Sequence, residues 1–248
     1  MSSDPKRIVA DGYDAISDRY FEWASSFHTP AMRWLEDLLE RLEDGSEVLD
    51  LGCGRGVPFT QELARRHRVT GVDISARQVE LARTLVPEAK FVHADAATLE
   101  HAPESLDAVV SLFMLGHVPR AEQGPLLRRI AGWLRPGGLL LATMATGGAE
   151  AVDRDWLGAP MYFASHTAEE NRVLVHAAGL EIVRDRIIPH REPGHGDVSF
   201  MWLLATKAPL AVPPSGRAGE STTAARAKRA RPPTGAAESA PWPRVRLR

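Results

Sequence analysis

The sequence predicts an α/β fold built on a doubly wound, mostly parallel sheet. Three observations carry this. Short apolar runs of strand length alternate with helical patterns between residues 47 and 144; the first runs, Val48–Leu51 and Val69–Val72, pass into glycine or acidic turns; and the chain is long enough for one substantial core. Met32, Leu35, Leu38, Leu39 and Leu42 recur at helical spacing and stop at Asp44-Gly45, an amphipathic helix ahead of the first strand. Further helical patterns at 58–66, 76–85 and 121–134 separate strands that end near Asp73, His93, Leu112 and Thr143. Ser75 is placed to cap the helix starting at Ala76, and Leu134-Arg135-Pro136-Gly137-Gly138 reads as a helix end and a turn before the fifth strand. Gly147–His166 has no clear period and reads as a loop or lid. A helix over Thr167–Ala177 stops at Gly179, and strands follow at 180–188 and 197–206.

The chain has 248 residues, 44% apolar and 25% charged, the composition of a globular protein. Net charge is −2, but residues 208–248 hold eight Lys and Arg against two Glu, leaving about −8 on the rest. That tail also holds seven prolines and few large apolar side chains, so it reads as disordered. Its Arg226–Arg231 run is suited to a polyanion, yet a plain solvated extension is the favoured reading, and a nucleic-acid partner is disfavoured. Three segments result: a helical segment over 1–30, a core domain over 31–207 and the tail over 208–248. Cys53 is the single cysteine, and with no Cys-x-x-Cys or His-rich cluster no metal is expected. No apolar run approaches the roughly twenty residues of a membrane span, and the first residues lack a secretory pattern, so the expected location is cytoplasmic.

The spacing of the glycine loop, Asp50-Leu51-Gly52-Cys53-Gly54-Arg55-Gly56, separates two cofactor classes. Dinucleotide folds use G-x-G-x-x-G, with the third glycine opening the helix. Here the third glycine arrives one residue early and Pro58 follows. The D-x-G-x-G-x-G form resembles the first motif of the class I S-adenosylmethionine-dependent methyltransferases. Asp73, about twenty residues on, stands where a ribose carboxylate is expected; Asp95 follows the third strand; Phe113–Pro119 follows the fourth; and Arg135-Pro136-Gly137-Gly138 precedes the fifth. The resemblance implies a seven-stranded Rossmann-like sheet with helices on both faces, the last strand antiparallel beside the fifth, and the aromatic-rich segment Tyr13–Trp23 as a helical lid. It implies S-adenosyl-L-methionine as cofactor, with Asp50, Gly52, Cys53, Gly54 and Gly56 around its glycine loop. Asp73 and Ile74 would face the ribose, Asp95 and Ala96 the adenine, and Phe113 the cofactor and acceptor together.

Methyl transfer from a sulfonium is an in-line displacement, so the protein chiefly aligns the reactants and excludes water; a base is needed only where the acceptor atom bears a proton. The candidates for such a base are His117, His166 and His195, each near the strand carboxyl ends; His117, on the loop after the fourth strand, is the one taken as base or acceptor ligand. His166 precedes the last helix and His195 falls in a turn, Pro193-Gly194-His195-Gly196. Tyr13, Tyr20, Trp23, Trp156, Met161, Tyr162 and Phe163, with His117 and His166, are the candidate acceptor wall, which suits a small organic molecule such as a secondary metabolite, methylated on O, N or C. No Asn-Pro-Pro-Tyr signature follows the fourth strand, so methylation of DNA or glutamine amines gains no support. An RNA or protein methyltransferase, and a protein that binds the cofactor without transferring methyl, stay open as alternatives. The oligomeric state is left open.

Overall fold

The computed structural model describes residues 4–26, 29–194 and 196–208. The chain runs α1 (Pro5–Ala24), α2 (Ala31–Leu39), β1 (Glu47–Leu51), α3 (Phe59–Ala64), β2 (Arg68–Asp73), α4 (Ala76–Leu85), β3 (Lys90–His93) and β4 (Leu106–Ser111). It continues with a 3-10 turn (Leu115–His117), α5 (Arg120–Trp133), β5 (Leu134–Ala145), β6 (Glu150–Trp156), β7 (Ala159–Ala164), α6 (Ala168–Ala177), β8 (Leu180–Glu192) and β9 (Gly196–Lys207). Seven strands form one sheet in the order β3-β2-β1-β4-β5-β9-β8. β1 to β5 pair in parallel, and β9 inserts antiparallel between β5 and β8, the predicted topology.

Side chains of β1 alternate between two cores, as a strand covered on both faces requires. Leu49 and Leu51 pack with Leu126, Leu127 and Ile130 of α5 and Val175 of α6. Val48 points the other way, into Trp34, Leu35 and Leu38 of α2 and Leu63 of α3, with Trp202 beneath them. The Ser75 hydroxyl accepts the Gln78 N–H and starts α4 where the sequence places it. Thr167 and Glu170 close a reciprocal capping box on α6.

Two expectations need correcting. Residues Gly147–His166 are not a structureless loop: β6 and β7 form an antiparallel hairpin separate from the main sheet. The strand pairing of β5 begins at Leu134, so Pro136-Gly137-Gly138 is an irregularity inside that pairing, where the register with β4 shifts, rather than a turn before it.

The hairpin gives α1 its seat. Val9 and Ile16 pack on Trp156, Met161 and Tyr162. At Gly12 a Cβ would stand 2.8 Å from the Pro160 carbonyl oxygen, so glycine allows the close approach. β8 and β9 continue past the end of β5, whose Ala145 pairs with Phe200, as a two-stranded arm. The arm reaches the end of α1, where the Trp23 indole N–H donates to the Pro193 carbonyl at 2.9 Å. No helix among the described residues is long and apolar enough to cross a membrane. The basic tail beyond 208 lies outside the described residues.

Candidate functional site

Strand order reverses direction around β1, and in such sheets the crevice beyond the strand carboxyl ends is where ligands settle. A cavity of about 630 Å³ occupies that place. Gly52, Cys53 and Gly54 reach it from β1, Asp73 and Ile74 from β2, Asp95 and Ala96 from β3, and Phe113 and His117 from β4.

The glycine loop is held by backbone bonds from both sides. The Gly52 and Cys53 N–H groups donate to the Val72 carbonyl at 2.7 and 3.1 Å, turning the loop over the end of β2. Gly52 has φ +76, and a Cβ there would stand 2.4 Å from Cβ of Met114. Asp73 locks the other side: Oδ2 accepts the Gly54 N–H at 2.8 Å and Oδ1 the Ser75 N–H at 2.9 Å. Burial pushes the Asp73 carboxyl up from its usual range, against the pull of those two N–H groups. Four acceptor positions on a carboxylate leave room for further donors.

Asp95 accepts the Ala97 N–H at 2.8 Å and pairs through Oδ2 with Lys6 Nζ, also at 2.8 Å. Lys6 stands 2.6 Å from Glu122 as well. Burial works to lower this lysine, but the two carboxylates outweigh it and the net shift is upward. α1 thus touches the loops after β1, β2 and β3. Asp14 accepts the Ser75 hydroxyl and the Arg77 N–H at 2.5 and 3.0 Å. Arg55 donates to the Ser17 carbonyl and to Asp18 at 2.7 and 2.8 Å, with its guanidinium 4.4 Å from the Phe21 ring centre.

His117 is bonded through both ring nitrogens: Nδ1 lies 2.8 Å from the Tyr162 carbonyl oxygen and Nε2 2.8 Å from the Tyr13 hydroxyl. A carbonyl only accepts, so Nδ1 carries the proton and Nε2 receives one from Tyr13. Burial lowers the imidazole below its ordinary value, partly opposed by the bond to Tyr162, which keeps it neutral. Tyr20 bonds to Tyr13, and burial raises both phenols, Tyr20 to about 12. Around this chain stand aromatic rings: Tyr13 and Tyr20 edge to face at 5.1 Å, Trp23 on Trp156 at 5.5 Å, and Phe163 at 5.0 Å from the His117 ring.

The cavity does not take in every residue singled out in the sequence. Asp50 is buried beneath the loop, where it accepts the Thr60 hydroxyl at 2.5 Å. Gly56 packs toward Val86 and Phe91, and Met161 lies under Gly12 where α1 packs on the hairpin. His166 turns to the backbone and guanidinium of Arg120. His195 falls outside the described residues. Lys6, Arg55, Gln78, Glu192 and Asp197 line the cavity although no pattern singled them out. For Arg55 the one available signal was a long charged side chain inside a loop of small residues.

Burial raises the Asp50 carboxyl to about 6, with the Thr60 bond pulling the other way and the Asp73 charge adding to the rise. A raised carboxyl contributes stability that is fully present below its unfolded value and lost as pH climbs through the folded one. Asp50→Asn therefore gains on the parent between about pH 4 and pH 8, by up to about 3 kcal/mol, in paired denaturant titrations.

The model of the methyltransferase domain matches residues 48–138. The 27-O-demethylrifamycin SV methyltransferase of Amycolatopsis mediterranei is 33% identical over 162 residues, covering 56% of this chain and 59% of that protein. Over these residues the chain is similar to the class I S-adenosylmethionine-dependent methyltransferases. Two solved structures agree in fold. The magnesium protoporphyrin IX methyltransferase of Synechocystis PCC 6803 superposes with TM-score 0.63 at 21% identity, covering 84% of this chain and 99% of that one. The cyclase SpnF does so with TM-score 0.65 at 22% identity, covering 84% and 98%. The chain spans between about two fifths and three fifths of the length of the first curated relatives it matches.

The family cofactor suits the chemistry of this wall. Asp73 and Asp95 offer carboxylate acceptors of the kind that ribose hydroxyls and an adenine amino group require, and a Cβ position at Gly54 meets nothing within 4 Å, so backbone is open to a ligand there. Among the described residues, two buried polar atoms without a partner, Arg55 Nε and Gln78 Oε1, belong to side chains of the same cavity. Cys53 is no nucleophile, since burial pushes its thiol far up. Among the described residues no cluster suits a metal ion.

Proposed function

We propose that the protein transfers a methyl group from S-adenosylmethionine to an O, N or C atom of a small organic acceptor. The observation that carries this is the convergence of four strand-end loops on one cavity whose far side is aromatic and holds a neutral histidine with an accepting Nε2. When bound, the cofactor supplies an electrophilic methyl group on a sulfonium that departs as a neutral thioether. Asp73, Asp95 and the glycine loop bind the nucleoside, while α1 and the β6–β7 hairpin exclude water. Where the acceptor atom bears a proton, Tyr13 and His117 take it in relay: the Tyr13 oxygen receives it as the Tyr13 proton moves to His117 Nε2. The resulting imidazolium is held by its Nδ1–H bond to the Tyr162 carbonyl. The relatives that act on small molecules support the size of the acceptor; a secondary metabolite is the class we favour.

Methyl-labelled cofactor incubated with the protein and fractionated small molecules tests this reading. Label in a small-molecule product supports it; label only in RNA or protein, or none from a folded protein that binds the cofactor, refutes it. For a hydroxyl acceptor, His117→Ala lowers kcat about 10²- to 10⁴-fold with cofactor affinity within about threefold of the parent, and Tyr13→Phe acts in the same direction. Because burial holds His117 below the ordinary imidazole value, kcat stays level through neutral pH and falls only on the acid side as the ring protonates. A profile of kcat against pH checks the sign.

A further inference from the structure

Gln78 lines the cavity and is only 2% exposed, yet its Oε1 has no hydrogen-bond partner among the described residues. An unpaired buried amide oxygen is costly, and native chains keep few of them without a reason such as a ligand that supplies the donor. The other orphan of the cavity, Arg55 Nε, differs, because its guanidinium already donates through Nη2 to Ser17 and Asp18 of α1.

The local sequence fixes where Gln78 stands. Asp73 Oδ1 accepts the Ser75 N–H at 2.9 Å, and the Ser75 hydroxyl accepts the Gln78 N–H at 3.1 Å, so the three residues are linked through one capped turn. From α1, Asp14 accepts the Ser75 hydroxyl and the Arg77 N–H, which pins that turn. The Gln78 N–H is thereby satisfied, while its side-chain oxygen is left over. A ribose presents two adjacent hydroxyls, each with one proton to donate. Asp73 already holds the N–H groups of Gly54 and Ser75, and burial already pushes its carboxyl up. An amide oxygen on the same turn offers the second hydroxyl a neutral acceptor and sets no further negative charge near Asp73. The last torsion of a glutamine is soft, so the amide can turn its oxygen to the ligand.

We propose that Gln78 is a ribose ligand: its Oε1 accepts one hydroxyl of the cofactor's ribose while Asp73 accepts the other. The assignment rests on the reading of the cavity as the S-adenosylmethionine site and adds the residue that makes this site select a ribose bearing both hydroxyls.

Three ligands decide it: S-adenosylhomocysteine and its 2′-deoxy and 3′-deoxy analogues, titrated calorimetrically into the full chain and into Gln78→Met. The parent is expected to bind each deoxy analogue about tenfold or more weakly than S-adenosylhomocysteine. In Gln78→Met, S-adenosylhomocysteine is expected to weaken about tenfold, and the penalty for one analogue to shrink to within about threefold while the other penalty stays. Thermal unfolding without ligand supplies a readout that a merely structural role would move the other way. Gln78→Met is expected to be at least as stable as the parent, because the variant no longer buries an unpaired oxygen. A parent indifferent to the missing hydroxyls, penalties both unchanged or both abolished in the variant, one common factor of weakening for all three ligands, or a variant less stable than the parent would overturn the assignment. S-adenosylhomocysteine failing to bind the folded parent would remove the cofactor reading and the assignment with it. A parent that binds S-adenosylhomocysteine and ignores the missing hydroxyls removes the assignment alone.

Discussion

Asp73→Ala is expected to cost at least about 100-fold in affinity for S-adenosylhomocysteine, because the substitution acts twice. It removes the carboxylate assigned to the ribose hydroxyls, and hydrogen bonds to a charged group contribute about 1.5–3 kcal/mol each. It also frees the Gly54 and Ser75 N–H groups, and with them the glycine loop and the start of α4, which Asp73 ties together. Asp73→Asn keeps the shape and one acceptor oxygen and falls between parent and alanine variant. Titration calorimetry on variants whose circular dichroism matches the parent reads the effect. An alanine variant within about threefold of the parent would mean that the ribose is held elsewhere.

Gly52→Ala is the stability counterpart. A side chain at φ +76 adopts the left-handed region at a cost of about 1–2 kcal/mol. The added methyl also enters Met114, whose Cβ and Cγ would stand 2.4 and 2.6 Å away, and overpacking of that kind costs about 1–3 kcal/mol more. Urea titration is expected to show a combined loss of about 2–5 kcal/mol with an unchanged m-value. Since Met114 sits on the loop between β4 and the 3-10 turn that carries His117, the variant also weakens acceptor binding. A loss below about 0.5 kcal/mol would show that the loop accommodates the methyl.

The glycine turn at Gly52 and the acidic strand end at Asp73 were legible in the sequence, because they are local features: a strand, a turn and the residue that begins the next helix lie within a few positions of each other. The boundaries of α4 follow from Ser75 and its apolar spacing for the same reason. The β6–β7 hairpin was hidden because the first six residues of β6 are all exposed, so no alternation of apolar and polar side chains marks it. Lys6 and His166 show the complementary limit. Nothing near Lys6 announces a partner 89 positions away, and His166, which follows the aromatic segment, turns to Arg120 rather than inward. Asp50 carries the motif yet stays beneath it, bonded to Thr60, since a buried carboxylate needs a donor and α3 provides one. What a pattern along the chain cannot carry is which of its polar residues the fold turns toward the crevice.

The account requires one nucleoside to be shared by loops that lie far apart in sequence. A crystal structure of the full chain with S-adenosylhomocysteine tests this most directly. It should place the ribose on Asp73, the adenine beside Asp95 and the thioether sulfur facing the hollow bounded by His117, Tyr20 and Trp156. Ligand density away from Asp73 and Asp95, or a sulfur directed away from His117, would contradict it.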